Sequence, residues 1–406
     1  MKITLFISLL STFIQMKITA QVKWQLNKDT VVAWHYADGD EFNTQTLNTN
    51  KWKYWYGWGR SIFSNREQAY YTDGLNHELK DGCLNLFAKR ERLEKRTIDW
   101  LEDTASLYRG ETNFGQNKRV FEYSSGMIQS HEKFKYGYFE IKFKMPEEKG
   151  YWPAFWLYGG EEIDWMELKT EKKNAIHVGR HSPKPEENRM RNYIRKKTWG
   201  DWVYFKGNLS CEWNIVSGEW TPEYLKYYLN GECIAYSKLS LNTEKVLCAN
   251  LAVPGNNGPF KPGPKPNIKR SGDFTIDYIR IWSNDPKTKN INTANTFENH
   301  GHSKIGKTKL KSKTRFLYGK KKIHANEGLT VTLLPLKNNQ FELQVLGKKI
   351  PSTSHYSILD SDKAFIYTEG LKFGSSIIDL NTYTGNSFEL KINYLEQTVT
   401  HKLDKN

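Results

Sequence analysis

Hydrophobic and polar residues alternate along most of this chain. In YGYFEIKFKM (Tyr136 to Met145), Phe139, Ile141 and Phe143 point one way while Glu140, Lys142 and Lys144 point the other. That is the period-two signature of a half-buried strand. GDFTIDYIRIW (Gly272 to Trp282) repeats it. Such runs follow one another at short spacing, without helical periodicity between them, and so predict an all-β block of two packed antiparallel sheets over residues 21–285.

Beyond Trp282 the texture changes. SNDPKTKNINTANTFENHGHSKIGKTKLKSKT is polar and poor in aromatic residues, which predicts a linker over 286–314. From Arg315 onward, RFLYG, LTVTLLPL, QFELQVLG, SIIDL and SFELKINYL read as short strands of a small Lys-rich β module, 315–406, of unknown role. Within the first block, Val253 to Asp273 is a Pro/Gly loop long enough to suspect a function. Residues 1–20 combine Lys2, an apolar run from Ile3 to Ile14 and a terminal Ala20, the pattern of a secretory signal peptide, and the residue directly after the cleavage site is Gln21 rather than a lipid-accepting cysteine. The run is too short to span a bilayer, so the chain is expected to be secreted, extracellular or periplasmic, with no membrane span.

Composition sharpens this picture. Aromatic residues make up 14% of 406 residues, and the formal net charge is +15. In an exported protein such charge points to acidic glycans or an anionic envelope, or to a merely solvated surface, and away from nucleic acid. A monomer is expected. The cysteines, Cys83, Cys211, Cys233 and Cys248, match no zinc spacing. A hairpin turning at Thr221-Pro222-Glu223 would set Cys211 opposite Cys233, where a disulfide is an open option.

EEIDWMEL (Glu161 to Leu168) carries the chemistry. On a regular strand Glu162 and Asp164 share a face and Glu167 points away; one extra residue near Trp165-Met166, a β-bulge, returns Glu167 to their side. Two neighbouring carboxyl groups are the apparatus of a retaining glycosidase, one attacking the anomeric carbon and the other protonating the leaving oxygen. A Ca²⁺ site or an outward-facing acidic strand are the plainer readings, but calcium usually draws ligands from loops, and Glu167 would then break the alternation without reason. Just upstream, in GYWPAFWLYGG, alternation sets Trp152 and Trp156 on one face as a platform for sugar rings, with Phe155 and Leu157 toward the core.

Together YGYFEIKFKMP, GYWPAFWLYGG and EEIDWMEL resemble glycoside hydrolase family 16, the laminarinase, agarase and carrageenase group. DEFN (Asp40 to Asn43), NREQAYYTD (Asn65 to Asp73), YSSGMIQS (Tyr123 to Ser130) and DYIRIW extend the likeness over about residues 30–285. The resemblance implies a β-jelly-roll sandwich with an open concave cleft and retaining, endo-acting hydrolysis of a β-linked polysaccharide. It implies Glu162 as nucleophile, Glu167 as acid/base and Asp164 as assisting acid. Asn65, Trp152 and Trp156 would line sugar subsites, with His177 beside the acid/base. No cofactor is implied for catalysis, but a structural Ca²⁺ is, for which Glu41, Gly82 and Asp277 are the positions to try. Trp165 departs from the family pattern, where a small aliphatic residue is commoner. If GRHSPKPEENRMRNYIRKKTWGDW (Gly179 to Trp202) rims the cleft, Arg180, Arg189, Arg191 and Arg195 would hold sulfate or carboxylate groups, leaving β-1,3-glucan and a sulfated or neutral galactan both open as substrate. The rival of another class is a lectin-like sandwich that binds polysaccharide without cutting it.

Overall fold

The computed structural model describes residues 21–99, 118–182, 199–238, 240–264, 273–285, 305, 309–310, 315–317 and 328–405. Residues 1–20, where a signal peptide is expected, and the arginines at 189, 191 and 195 lie outside them. Strands dominate, and no helix is long and apolar enough to cross a membrane among the described residues.

Two curved sheets stack on a single apolar core. One runs, in spatial order, Trp199–Lys206, Ala175–His181, Glu161–Glu167, Trp152–Gly159, Lys245–Ala252 and Met127–Phe134. The other sets Asn214–Trp220, Gly137–Lys144, Phe274–Ser283 and Val31–Asp40 side by side. The alternation read from the sequence accounts for the layer between them: Phe139, Ile141 and Phe143 are fully buried there with Phe155, Leu157, Ile163, Ile176, Val178 and Val216. Burying such side chains stabilises a domain by roughly 1.5 to 3 kcal/mol each.

The opposite face of the Gly137–Lys144 strand is not solvated as its polar residues suggest. Glu140 is fully buried and Lys142 nearly so. The cause is a strand at the start of the described chain, Val22–Leu26, which pairs on one side with Val31–Asp40 and on the other with Leu329–Pro335 of the C-terminal segment. Its apolar residues Val22, Trp24 and Leu26 enter a second core with Val331, Leu343, Ile358, Phe388 and Leu390. Its polar residues turn toward the sandwich: Lys23 Nζ lies 2.6 Å from Glu140 Oε2, both without solvent exposure, and Trp34 Nε1 donates to Gln25 Oε1 at 2.9 Å. The chain between the cores also follows the sandwich, with Lys309–Leu310 pairing against Phe205–Lys206 and Arg315–Leu317 running parallel to Ala235–Ser237.

In this buried polar layer the acids proposed for calcium already have cationic partners. Glu41 receives both Nε and Nη2 of Arg280, each at 2.8 Å, and Asp277 lies 2.6 Å from Lys142 Nζ. Carboxylates already neutralised by buried cations do not fit a calcium site, and Gly82 occupies the tight turn between His77–Lys80 and Cys83–Leu86. The cysteines are all free: Cys211 sits exposed in a turn ahead of the Asn214–Trp220 strand, while Cys233 is buried and pairs across from Tyr228. The hairpin therefore places no sulfur opposite Cys233.

Removing Lys23 leaves Glu140 buried without its cation. Lys23→Ala should lower the unfolding free energy by about 3 to 5 kcal/mol, and Lys23→Met with Glu140→Leu should recover most of it. Denaturant titration compares the three; a single variant as stable as the double would remove the ion pair from the account.

Candidate active site

The acidic strand carries one residue too many. Against the Trp152–Gly159 strand, Ala154 pairs with Glu167 and Phe155 with Met166, yet Trp156 pairs with Asp164, so Trp165 has no counterpart. Against the Ala175–His181 strand, Asp164 faces Gly179 and Glu167 faces His177, so Trp165 and Met166 together oppose Val178 alone. Both side chains fall into the sandwich core, fully buried. The bulge thus absorbs the parity change, and Glu162, Asp164 and Glu167 all line one cavity of about 250 Å³ on the other side.

Room for the Trp165 indole comes from the opposite sheet. It packs on Phe139 and Tyr227, ring centres 6.0 and 5.1 Å away. Beside it lies Gly218, where a Cβ would stand 2.0 Å from an indole carbon. Tyr227 donates its hydroxyl to the Gly179 carbonyl at 2.8 Å, tying the strand next to the acids to the same core.

The three acids differ in access. The side chains of Glu162 and Glu167 are 31% and 13% exposed, whereas Asp164 between them is 4% exposed. Burial raises the Glu162 carboxyl well above its usual range, helped by the charges of Asp164 and Glu167 and by a hydrogen bond with Asp164. Glu167 is also raised, by burial and then by Asp164, but His177 works against the rise. His177 Nδ1 lies 2.7 Å from Glu167 Oε2. Burial alone would lower the imidazole; its hydrogen bond with Glu167 and the charges of Glu167 and Asp164 outweigh that, so the net shift is upward. His181 Nε2 completes the group, 3.1 Å from Asp164 Oδ2 and 3.8 Å from Glu162 Oε1. Like charge this close disfavours ionising Glu162 and Glu167 together, which favours a proton held at the site.

Aromatic walls enclose these acids. Tyr56, Trp58, Trp156 and Tyr158 line the cavity with Asn65, Trp152 and Asn250. Trp58 stacks on Tyr56 at 4.9 Å between ring centres. Trp152 and Trp156 do face the same cavity, but Phe260 of the Pro/Gly loop lies flat on Trp152, centres 4.3 Å apart and planes 8° from parallel. A sugar ring cannot enter between them, which takes one face of the expected platform out of use. Phe260 also approaches His177 and Trp202 at 5.7 and 5.5 Å, its backbone in the left-handed region (φ 58°).

Arg180 is placed otherwise than expected. It is 1% exposed and lies on the core face of its strand with Ile176 and Val178, because His177, Gly179 and His181 take the cleft face by alternation. Two cleft groups were not singled out from the sequence. His181 follows His177 at an even spacing of four, which on a strand returns to the same face. Glu67 lies two residues after Asn65, in a loop where periodicity is silent; its carboxyl lines the cavity and burial raises it to about 7. Among the described residues the one trio of potential metal-ligating atoms, Glu162, Asp164 and His181 within 4.8 Å of one another, coincides with the acids themselves.

Residues 94–250 match the family model described as Glycosyl hydrolases family 16. The chain is 28% identical over 287 residues to the glucan endo-1,3-beta-glucosidase A1 of Niallia circulans, covering 60% of this chain and 37% of that protein. It is 25% identical over 270 residues to the endo-1,3-1,4-beta-glycanase EglC of Rhizobium meliloti, covering 61% and 51%. The chain thus spans about half or less of the length of these curated relatives. Among solved structures, the catalytic domain of an endo-1,3-beta-glucanase (laminarinase) from Thermotoga petrophila shares 23% identity, over 62% of this chain and 98% of that one, at a TM-score of 0.49.

Two measurements test the site. In His177→Ala, Glu167 loses the partner that lowers it, so its carbon-13 carboxyl resonance should titrate at higher pH than in the wild type; a midpoint moved down would contradict the arrangement. Gly218→Ala should cost about 1 to 3 kcal/mol by overpacking against Trp165. Adding Trp165→Ile should return part of it, and a double variant melting below the single would show that the indole is not what Gly218 accommodates.

Proposed function

Because the chain belongs to glycosyl hydrolases family 16, we propose that it hydrolyses internal β-linkages of a polysaccharide by double displacement, with retention of configuration. The observation that carries this reading is the bulge at Trp165, which brings Glu162 and Glu167 to one cavity on either side of Asp164.

In the first step a Glu162 oxygen attacks the anomeric carbon while the glycosidic C–O bond breaks, and Glu167 gives its proton to the departing oxygen. Glu162 must be the anion at that moment. Positive charge developing on the sugar ring above favours that anion. In the second step Glu167, now a carboxylate, takes a proton from water whose oxygen attacks the anomeric carbon and releases Glu162. His177, hydrogen-bonded to Glu167, holds that carboxyl in place for both transfers.

For the substrate we propose a neutral β-1,3-glucan. The cavity presents Glu67, Glu162, Asp164 and Glu167, with no Lys or Arg among the described residues lining it. A sulfated chain would meet like charge there, and Arg180 is turned into the core. The names of the relatives, a glucan endo-1,3-beta-glucosidase and an endo-1,3-1,4-beta-glycanase, support the same choice. The leader-like residues 1–20 support export, which is where such a polymer would be met.

The test is incubation with laminarin, mixed-linkage β-glucan, agarose, porphyran and κ-carrageenan, reading new reducing ends and the anomer released first by proton NMR. Laminarin should be cut with the β-anomer appearing first. Glu162→Gln and Glu167→Gln should each lose at least about a thousandfold in turnover while keeping the wild-type melting profile. Binding without new ends on any of the five would favour the lectin reading.

A further inference from the structure

Glu67 lies outside the acidic strand, and neither displacement step uses it. It is nevertheless the end of a continuous chain of hydrogen bonds that crosses the cavity wall. Trp156 Nε1 donates to Asn250 Oδ1 at 2.8 Å. Asn250 Nδ2 donates to the Tyr71 hydroxyl at 3.2 Å, and that hydroxyl donates to Glu67 Oε2 at 3.2 Å. The Ile62 amide, from the loop that closes this end of the cavity, donates to the same oxygen at 3.3 Å.

Four strands or loops are joined by this relay, and its far end is the indole paired next to Asp164. Trp156 packs in a buried cluster with Tyr56, Tyr71, Met127 and Cys248. Its neighbours Tyr56, Trp58 and Tyr158 meet it edge-on, with ring centres 5.5 to 6.0 Å away. Edge contacts are tolerant of rotation, whereas an indole N–H bonded to an amide that is itself held is not. Tyr71 and Asn250 are nearly or wholly buried, so no solvent replaces a lost partner.

We infer that Glu67 is a positioning residue for the sugar-binding platform, fixing the Trp156 indole through Tyr71 and Asn250 so that a hexose ring seated on it presents its anomeric carbon to Glu162. The inference rests on the proposed polysaccharide hydrolysis for its consequence, though not for the relay itself. A purely local role, holding the Ile62 loop, would leave Trp156 indifferent to Glu67.

The experiment uses the full chain labelled with nitrogen-15 tryptophan, the Trp156 indole signal being assigned by its loss in Trp156→Phe. In Glu67→Leu and in Tyr71→Phe the indole hydrogen should exchange with solvent at least about tenfold faster, since its acceptor is no longer held. With laminarihexaose as probe, KM should rise about tenfold in both while kcat stays within about threefold. Glu67→Gln keeps a carbonyl acceptor for Tyr71 and Ile62, and should remain near the wild type in each measure. Unchanged indole exchange in Tyr71→Phe overturns the inference even if Glu67→Leu does not fold. Faster exchange with an unmoved KM overturns it too. If the wild type leaves laminarihexaose intact, the proposed hydrolysis fails, but the exchange rates still decide whether the relay exists.

Discussion

Everything chemical in this protein depends on one surplus residue in a strand. A pleated strand offers each face every second side chain, so a core-packed sheet can present acids at even spacings only. The Glu161–Glu167 strand escapes that rule by sending Trp165 and Met166 to the core consecutively. The indole then needs a volume that sheet-on-sheet packing does not ordinarily leave. Gly218 supplies it, so the position of a carboxyl group in the cleft is set by the absence of a methyl group on the far sheet.

The bulge creates an electrostatic problem as well as a site. Three carboxyl groups sit together in a cavity whose other described lining residues offer no lysine or arginine. Elsewhere the same protein neutralises its buried acids directly, as Lys23 does for Glu140 and Arg280 for Glu41. In the cleft, among the described residues, imidazoles approach them, His177 at Glu167 and His181 at Asp164. Imidazoles moderate the repulsion without cancelling it, and burial with neighbouring charge holds Glu162 and Glu167 above the usual carboxylate range. The two faces of the sandwich thus differ in how they hold acids, one with lysine and arginine and the other with imidazoles.

Much of this was legible in the sequence, because period-two patterns survive folding. Phe139, Ile141 and Phe143 read as core and are; the spacing of Glu162, Asp164 and Glu167 demanded a bulge, and there is one. Arg180 was misplaced by composition, although the alternation from His177 already sends it inward. Other features depend on partners far away in the chain. Glu140 looks solvated until the Val22–Leu26 strand lies over it, and Glu41 and Asp277 look like free ligands until Arg280 and Lys142 arrive. Phe260 on Trp152 comes from a loop with no periodicity to read.

The strand Val22–Leu26 belongs to two bodies at once, apolar side to one core and polar side to the other. Its two sheet neighbours lie about 300 residues apart in the chain, so during synthesis this segment emerges roughly that many residues before its second partner exists. Until then Val22, Trp24 and Leu26 are an uncovered apolar row on a half-paired edge, the kind of surface that recruits chaperones or sticks to its neighbours. A recombinant boundary drawn at residue 285 would make that temporary condition permanent, and a sandwich intended to stand alone should begin beyond Leu26 as well as end before the second core.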